Sequence, residues 1–365
     1  MSCWNNYYWT KGNNHSPLYV NEPFWNVDTA FGLIPSQQLV SKYLYYFCCY
    51  FNFKVLDKST TLPSLAKRDL ENVEMPVPPL DEQTCIVARI EELFSELDKA
   101  VDTLKTTKEQ LEVYRQAVLK SAFEGKYTID WRKSNDCSVD NDYLKIKKNN
   151  QIFKDTSGDE NELILKIPNT WMKVRFGEIF DVEVGATPSR QHKEYWNGKI
   201  AWVSSGEVRF ESINRTHEMI TQHGLNNSST NLQPIGTVLL AMIGEGKTRG
   251  QAAILNIPAA HNQNTAAILV SRTPCQPKYV YYFLQLNYEN TRRVGSGNNQ
   301  KALNKERVRA IRFPFAPVEE QVAIVKEIDE RLSVCDSIEK TVDAALAQAD
   351  AMRQSILKQA FERTL

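Results

Sequence analysis

Two stretches of the chain place apolar residues on a seven-residue period. In residues 81–125 one stripe is Ile90, Leu97, Leu104, Leu111 and Val118, and a companion stripe four residues earlier holds Ile86, Leu93, Ala100 and Tyr114. In residues 317–365 the stripe is Ile328, Cys335, Val342, Ala349 and Ile356, with Ile324, Ile338, Ala345 and Met352 beside it. Neither run contains Pro or Gly between its opening Pro-x-Asp/Glu-Glu-Gln motif and Gly125 or the end of the chain. Positions at this spacing share one side of a helix, so the pattern predicts two rods of roughly 60 Å at a rise of ~1.5 Å per residue. A helix lying on its own domain would carry a stripe too. Length and strict heptads favour a helix-on-helix seam, and the seam that uses both stripes joins the two rods. Antiparallel pairing is expected, because a repeat that closes on itself must rotate.

The remaining sequence alternates in the shorter period of strands. Ile179–Val184, Ile200–Ser204, Thr237–Met242, Ala252–Leu255 and Ala266–Val270 predict strands separated by turn residues, with helices at Tyr279–Leu286 and residues 302–310. The fold class is therefore α/β of the mixed α+β kind, not a doubly wound sheet. The chain also repeats itself. Pro79-Leu80-Asp81-Glu82-Gln83 matches Pro317-Val318-Glu319-Glu320-Gln321 at an offset of 238, and Ala122-Phe123-Glu124 matches Ala360-Phe361-Glu362. Further upstream the offset becomes 236: Lys42-Tyr43 matches Lys278-Tyr279, Tyr45-Tyr46 matches Tyr281-Tyr282, and Lys11 matches Lys247. Residues 167–237 have no counterpart in the first copy. The expected organisation is an incomplete first module (1–80), a first rod (81–125), a polar linker (126–165), a complete second module (166–316) and a second rod (317–365).

Charge sharpens this picture. The 365 residues carry no net charge overall, but residues 240–312 hold eleven Lys/Arg against three acids. Residues 81–130 hold eleven acids and seven bases, and residues 319–365 ten and six. Basic modules on acidic rods suit nucleic-acid reading: phosphates attract the module and leave the rod for a protein partner. Seven cysteines without a CxxC pair read as free thiols of a reducing cytoplasm. No apolar run approaches the ~20 residues of a membrane span, so no membrane partner is expected.

Little in the chain reads as catalytic. Residues 241–248, ending Gly246-Lys247-Thr248, have the spacing of a phosphate-binding loop, but Gly250 and a strand follow where such a loop needs a helix. A basic hairpin tip touching a DNA backbone fits better. No Asn/Asp-Pro-Pro-aromatic motif, AdoMet loop or nuclease cluster stands out. The five histidines are scattered without metal spacing, so no cofactor and no metal are expected. Glu82-Gln83 and Glu320-Gln321 sit in the first turns of the rods, where capping is the expected role.

Together these features resemble the specificity (S) subunit of type I restriction–modification enzymes. Ile167-Pro168-Asn169-Thr170-Trp171 followed by Gly185-Ala186-Thr187-Pro188-Ser189 looks like the opening of that family's target recognition domain. Residues 195–203 with Ser205-Gly206-Glu207 look like its next block. The Pro-x-Asp/Glu-Glu-Gln motifs look like the start of its helices, and Tyr114–Lys126 with Asp130-Trp131-Arg132 like their exit. The resemblance implies a non-catalytic subunit in which two recognition domains read a bipartite double-stranded DNA target and an antiparallel helical pair spaces the half-sites. It implies modification (methyltransferase) subunits, two of them, that bring AdoMet and methylate adenine. It also implies restriction subunits that bring ATP-driven translocation and cleavage. The second reading is a truncated coiled-coil module that binds modification subunits but not DNA. DNA-contact candidates matched to the motifs are Thr187, Ser189, Arg190, Lys193, Ser204 and Ser205. Loop candidates are Lys247, Arg249, Arg292, Arg293, Asn298, Asn299 and Lys301. Arg and Asn suit guanine and adenine edges, and Lys suits phosphates.

Overall fold

The computed structural model describes residues 6–8, 17–22, 31–56, 65–135, 138–147, 164–244, 246–293 and 303–362. The chain divides into two compact units, Met1–Leu111 with Ser337–Leu365, and Glu112–Asp336. In chain order the elements are β1 (Asn6–Tyr8), β2 (Leu18–Val20), β3 (Gly32–Leu33), α1 (Ser41–Tyr50), α2 (Lys67–Glu71), α3 (Leu80–Phe123), α4 (Ile129–Ser134) and α5 (Val139–Ile146). The second module adds β4 (Met172–Arg175), α6 (Phe176–Ile179), β5 (Val182–Val184), β6 (Trp196–Val203), β7 (Ser212–Ile213), β8 (Glu218–Ile220), α7 (Gln222–Asn226), β9 (Val238–Ala241), β10 (Ala252–Leu255), β11 (Ala259–His261) and β12 (Thr265–Ile268). It closes with α8 (Pro277–Leu286), α9 (Tyr288–Arg293), α10 (Lys305–Ala310) and β13 (Arg312–Phe315), and α11 (Val318–Phe361) is the second rod.

The two 44-residue helices α3 and α11 pair antiparallel. In the first unit Asp98 meets Arg353, and Lys108 meets Asp343 at 2.7 Å. In the second, Arg115 meets Asp336 at 2.7 Å. Advancing along one helix thus means retreating along the other. Ile328, Cys335, Val342, Ala349 and Ile356 are all buried, as are Ile90, Leu111 and Val118. The companion stripe is different: Ala100, Tyr114, Ile338 and Met352 are exposed. Two helices cover only one narrow stripe each. Ile86, Leu93 and Ile324 gain cover because module residues pack on them.

Each unit repeats one docking pattern between a module and the rods. Phe361 packs on Tyr43 and Phe47 at ring distances of 5.1 and 5.5 Å in the first unit, as Phe123 does on Tyr279 and Phe283 at 5.0 and 5.6 Å in the second. The Tyr43 hydroxyl donates to the Pro76 carbonyl at 3.0 Å and the Tyr279 hydroxyl to Pro314 at 2.8 Å. The glutamines of the helix-start motifs are buried bridges. Gln83 Oε1 accepts from the Val40 amide and its Nε2 donates to Pro78 O at 2.7 Å; Gln321 does the same with the Gln276 amide and Ala316 O. Capping does not describe Glu320 either, although Glu82 does sit exposed in the first turn of α3, where an acid favours the helix dipole. Glu320 is fully buried and accepts from Thr128 Oγ1, Arg132 Nη1 and Trp171 Nε1 at 2.6–2.8 Å, whereas Glu82 is exposed. The first amide of α11 is capped instead by Asp142, whose carboxylate accepts from Val318 N at 3.0 Å. Asp142 lies in α5, so the stretch after the first rod carries two short helices, and Val139 joins the core of the second unit.

The second module is built on a five-stranded sheet in the order β5-β12-β9-β10-β7, antiparallel except for the parallel β10–β7 pair. Its three central strands, β12, β9 and β10, are buried on both faces, which explains their continuous apolar runs. A second sheet, β11-β6-β8, packs beside it, and β4 pairs with β13. In the first module β2-β1-β3 reproduces the arrangement of β10-β9-β12.

Candidate nucleic-acid interface

The tight turn 262–264, between β11 and β12, gathers the loops that carry most of the described candidates. The Ala186 amide donates to the His261 carbonyl at 3.0 Å, and Thr187 Oγ1 donates to Gln263 Oε1 at 2.6 Å. The Asn262 amide donates to Val203 O at 3.0 Å, which sets Ser204 and Ser205 beside the turn. The Met242 amide donates to Asn264 O at 2.8 Å and anchors the start of the 242–250 loop. Gly185 is required here: a Cβ would lie 1.9 Å from the His261 carbonyl oxygen. The motif glycine of the sequence thus marks a close backbone approach.

His261 holds the turn from inside. The Thr265 hydroxyl spends its proton on Asn262 O at 2.9 Å, so His261 Nδ1 donates to Thr265 Oγ1 at 2.7 Å. Its Nε2 is buried without a partner among the described residues. Burial pushes the imidazole pKa down to about 4, so the ring is neutral at physiological pH.

Arg190 is the most defined of the motif candidates. Its two terminal nitrogens donate to the two Glu218 oxygens, and its guanidinium lies 3.7 Å over the Trp196 ring. Trp196 packs edge-on against Trp202 at 5.2 Å, and its Nε1 donates to Ser189 O at 3.2 Å. Stacking and pairing hold a long side chain in one pose. Arg190 holds the Glu218 carboxyl below the usual range. Ser189 and Lys193 are exposed. The Ser204 hydroxyl is used internally, donating to Glu207 Oε2 at 2.9 Å within a capping box. Burial alone would raise the Glu207 pKa; hydrogen bonds from Ser204 and His217 outweigh it and keep the group ionised.

The loop candidates divide. Lys247 is exposed and makes no ion pair among the described residues. Arg292 donates to Gly246 O and, at 2.6 Å, to the Tyr288 hydroxyl, which itself donates to Lys247 O. Arg249 Nη2 donates to Arg292 O at 2.9 Å. These two arginines therefore brace the loop that presents Lys247. The loop runs from β9 into antiparallel β10, with no helix after Thr248, which opposes a phosphate-binding loop. Arg293 ends α9 with its side chain outside the described residues, as are Asn298, Asn299 and Lys301. The supporting residues are Trp196, Glu218, Gln263 and Tyr288. Only Trp196, inside a motif block, carries a signal in the sequence.

Among the described residues no group of three or more His, Cys, Asp or Glu could hold a metal, and no helix is long and apolar enough to cross a membrane. The family model for the type I restriction modification DNA specificity domain matches residues 7–113 and 168–348. The EcoDI specificity subunit of Escherichia coli is 24% identical over 328 residues, covering 84% of this chain and 66% of its own length. The EcoBI specificity subunit of the same species is 26% identical over 314 residues, covering 84% and 61%. The chain thus spans just under two thirds of the length of these relatives. A chain from a solved structure described as "Structural basis underlying complex assembly and conformational transition of the type I R-M system" superposes with a TM-score of 0.73 at 16% identity, over 99% of this chain and 82% of its own.

Proposed function

The chain belongs to the type I restriction–modification DNA specificity family, and on that footing we propose that it is a DNA-specificity subunit whose second module reads one half of a bipartite target. The observation that carries this reading is the convergence of the 185–193, 203–205 and 242–250 loops on the 262–264 turn, which presents Arg190, Lys193 and Lys247. Lys193 and Lys247 supply mobile charge for phosphates. Arg190, already flat and aligned on Trp196, exchanges the Glu218 carboxylate for a base-edge acceptor at small entropic cost. The subunit performs no chemistry itself. It binds duplex DNA in the cytoplasm together with two modification subunits, whose AdoMet-dependent adenine methylation it directs, and with ATP-dependent restriction subunits. Affinity for duplex DNA of the chain purified with modification subunits, titrated against salt, tests this. The proposal requires a steep salt slope and tighter binding to the methylation-target sequence than to random sequence. Equal binding to both refutes it.

A further inference from the structure

The two copies of the repeat differ in what covers them. In the second module β5 pairs with the outer edge of β12, β7 with that of β10, and β4 with β13. In the first module β2 and β3 pair only with β1 among the described residues, and residues 74–77, the counterpart of β13, form no strand. Apolar side chains follow suit. Leu18, Ile34 and Val77 are 53%, 57% and 54% exposed, while their counterparts Ile254, Val270 and Phe315 are 8%, 0% and 0% exposed.

A shallow groove of about 360 Å³ marks the same absence. It is lined by Phe51, Val55, Leu56 and Val73, among others. In the second module α6 packs on α10 at this place: the Phe176 amide donates to Ile311 O at 2.9 Å, and Ile311 is the counterpart of Val73. Glu82 fits the pattern. It is exposed, whereas Glu320 is sealed by Trp171, immediately before β4, and by Thr128 and Arg132.

We propose that this face of the first module is a docking surface for a polypeptide segment built like residues 171–213. Such a segment carries one strand that pairs with residues 74–77. A short aromatic-bearing helix fills the Phe51–Val73 groove, and two further strands cap the edges of β3 and β2. The occupant is defined by the second module, where one continuous segment meets all these surfaces. Edges left unpaired among the described residues, with exposed apolar neighbours, are the template such strand addition needs. The proposal is independent of DNA binding.

The test joins a second copy of residues 164–237 ahead of Met1 through a flexible Gly/Ser linker, which holds the segment at roughly millimolar effective concentration. Hydrogen exchange is then read at residues 18–20, 32–33 and 74–77 against the unfused 365-residue chain. Docking slows exchange at all three sites about tenfold or more. Val77→Asp in the receiving module, at an exposed position that leaves the unfused chain unaffected, abolishes the slowing. Unchanged exchange in the fusion overturns the proposal. So does a dimeric unfused chain in which residues 74–77 are already protected, because the occupant is then a second copy.

Discussion

Replacing Glu320 by Ala removes the acceptor on which three side chains from two chain segments converge. The carboxylate is fully buried and takes hydrogen bonds from Thr128, Arg132 and Trp171 at 2.7, 2.6 and 2.8 Å. Removing one member of a buried ion pair costs about 3–5 kcal/mol. Arg132 keeps the Gly125 carbonyl and the Thr128 hydroxyl as acceptors, and 17% of its side chain reaches solvent. The low end, about 3 kcal/mol, therefore applies. For a unit of this size each kcal/mol moves Tm by roughly 2–4 °C, so the second unit melts about 6–12 °C earlier. The repeat supplies the control. Glu82 occupies the matching place and is exposed, so Glu82→Ala changes stability by no more than about 0.5 kcal/mol. Calorimetry, with fluorescence of Trp131, Trp171, Trp196 and Trp202, follows unfolding of the second unit. Equal shifts for the two variants refute the assigned role of Glu320.

Three further outcomes follow from the same geometry. The pKa of His261 is about 4 in the fold against ~6.5 unfolded, so the unfolded chain binds the extra proton between those values; stability is full above pH 6.5 and falls on acidification toward pH 4 by on the order of 3 kcal/mol, and denaturant titrations across this range check it against His261→Gln, which flattens the slope. Gly185→Ala drives a Cβ into the His261 carbonyl and separates the 186–187 loop from the turn, read as lost amide protection at Ala186 with the rods intact. Lys247→Ala lowers affinity for all duplexes alike and reduces the salt slope by about one.

The rods were legible because a heptad stripe depends on sequence-local spacing alone, and the buried line from Ile328 to Ile356 follows it residue by residue. The companion stripe misled for the same reason: periodicity assigns a face but not what lies against it, and Ile338 and Met352 face solvent. From sequence Glu320 is only a helix-terminal acid, because its partners Thr128 and Trp171 lie 192 and 149 residues away. Lys247 and Arg190 were legible as exposed cations in motif or loop positions. That Arg249 and Arg292 brace the loop while Lys247 is presented depended on Tyr288, forty-one residues from Lys247 and unmarked by any motif.

The central claim is that the 262–264 end of the second module reads DNA sequence. Selection of bound duplexes from a randomised library, by the chain in complex with modification subunits at about physiological salt, tests it most directly. The expected result is an enriched motif that Arg190→Ala relaxes at one base pair and Lys247→Ala leaves unchanged while weakening binding throughout. Recovery of no motif, or a motif that Arg190→Ala leaves intact at every position, contradicts it.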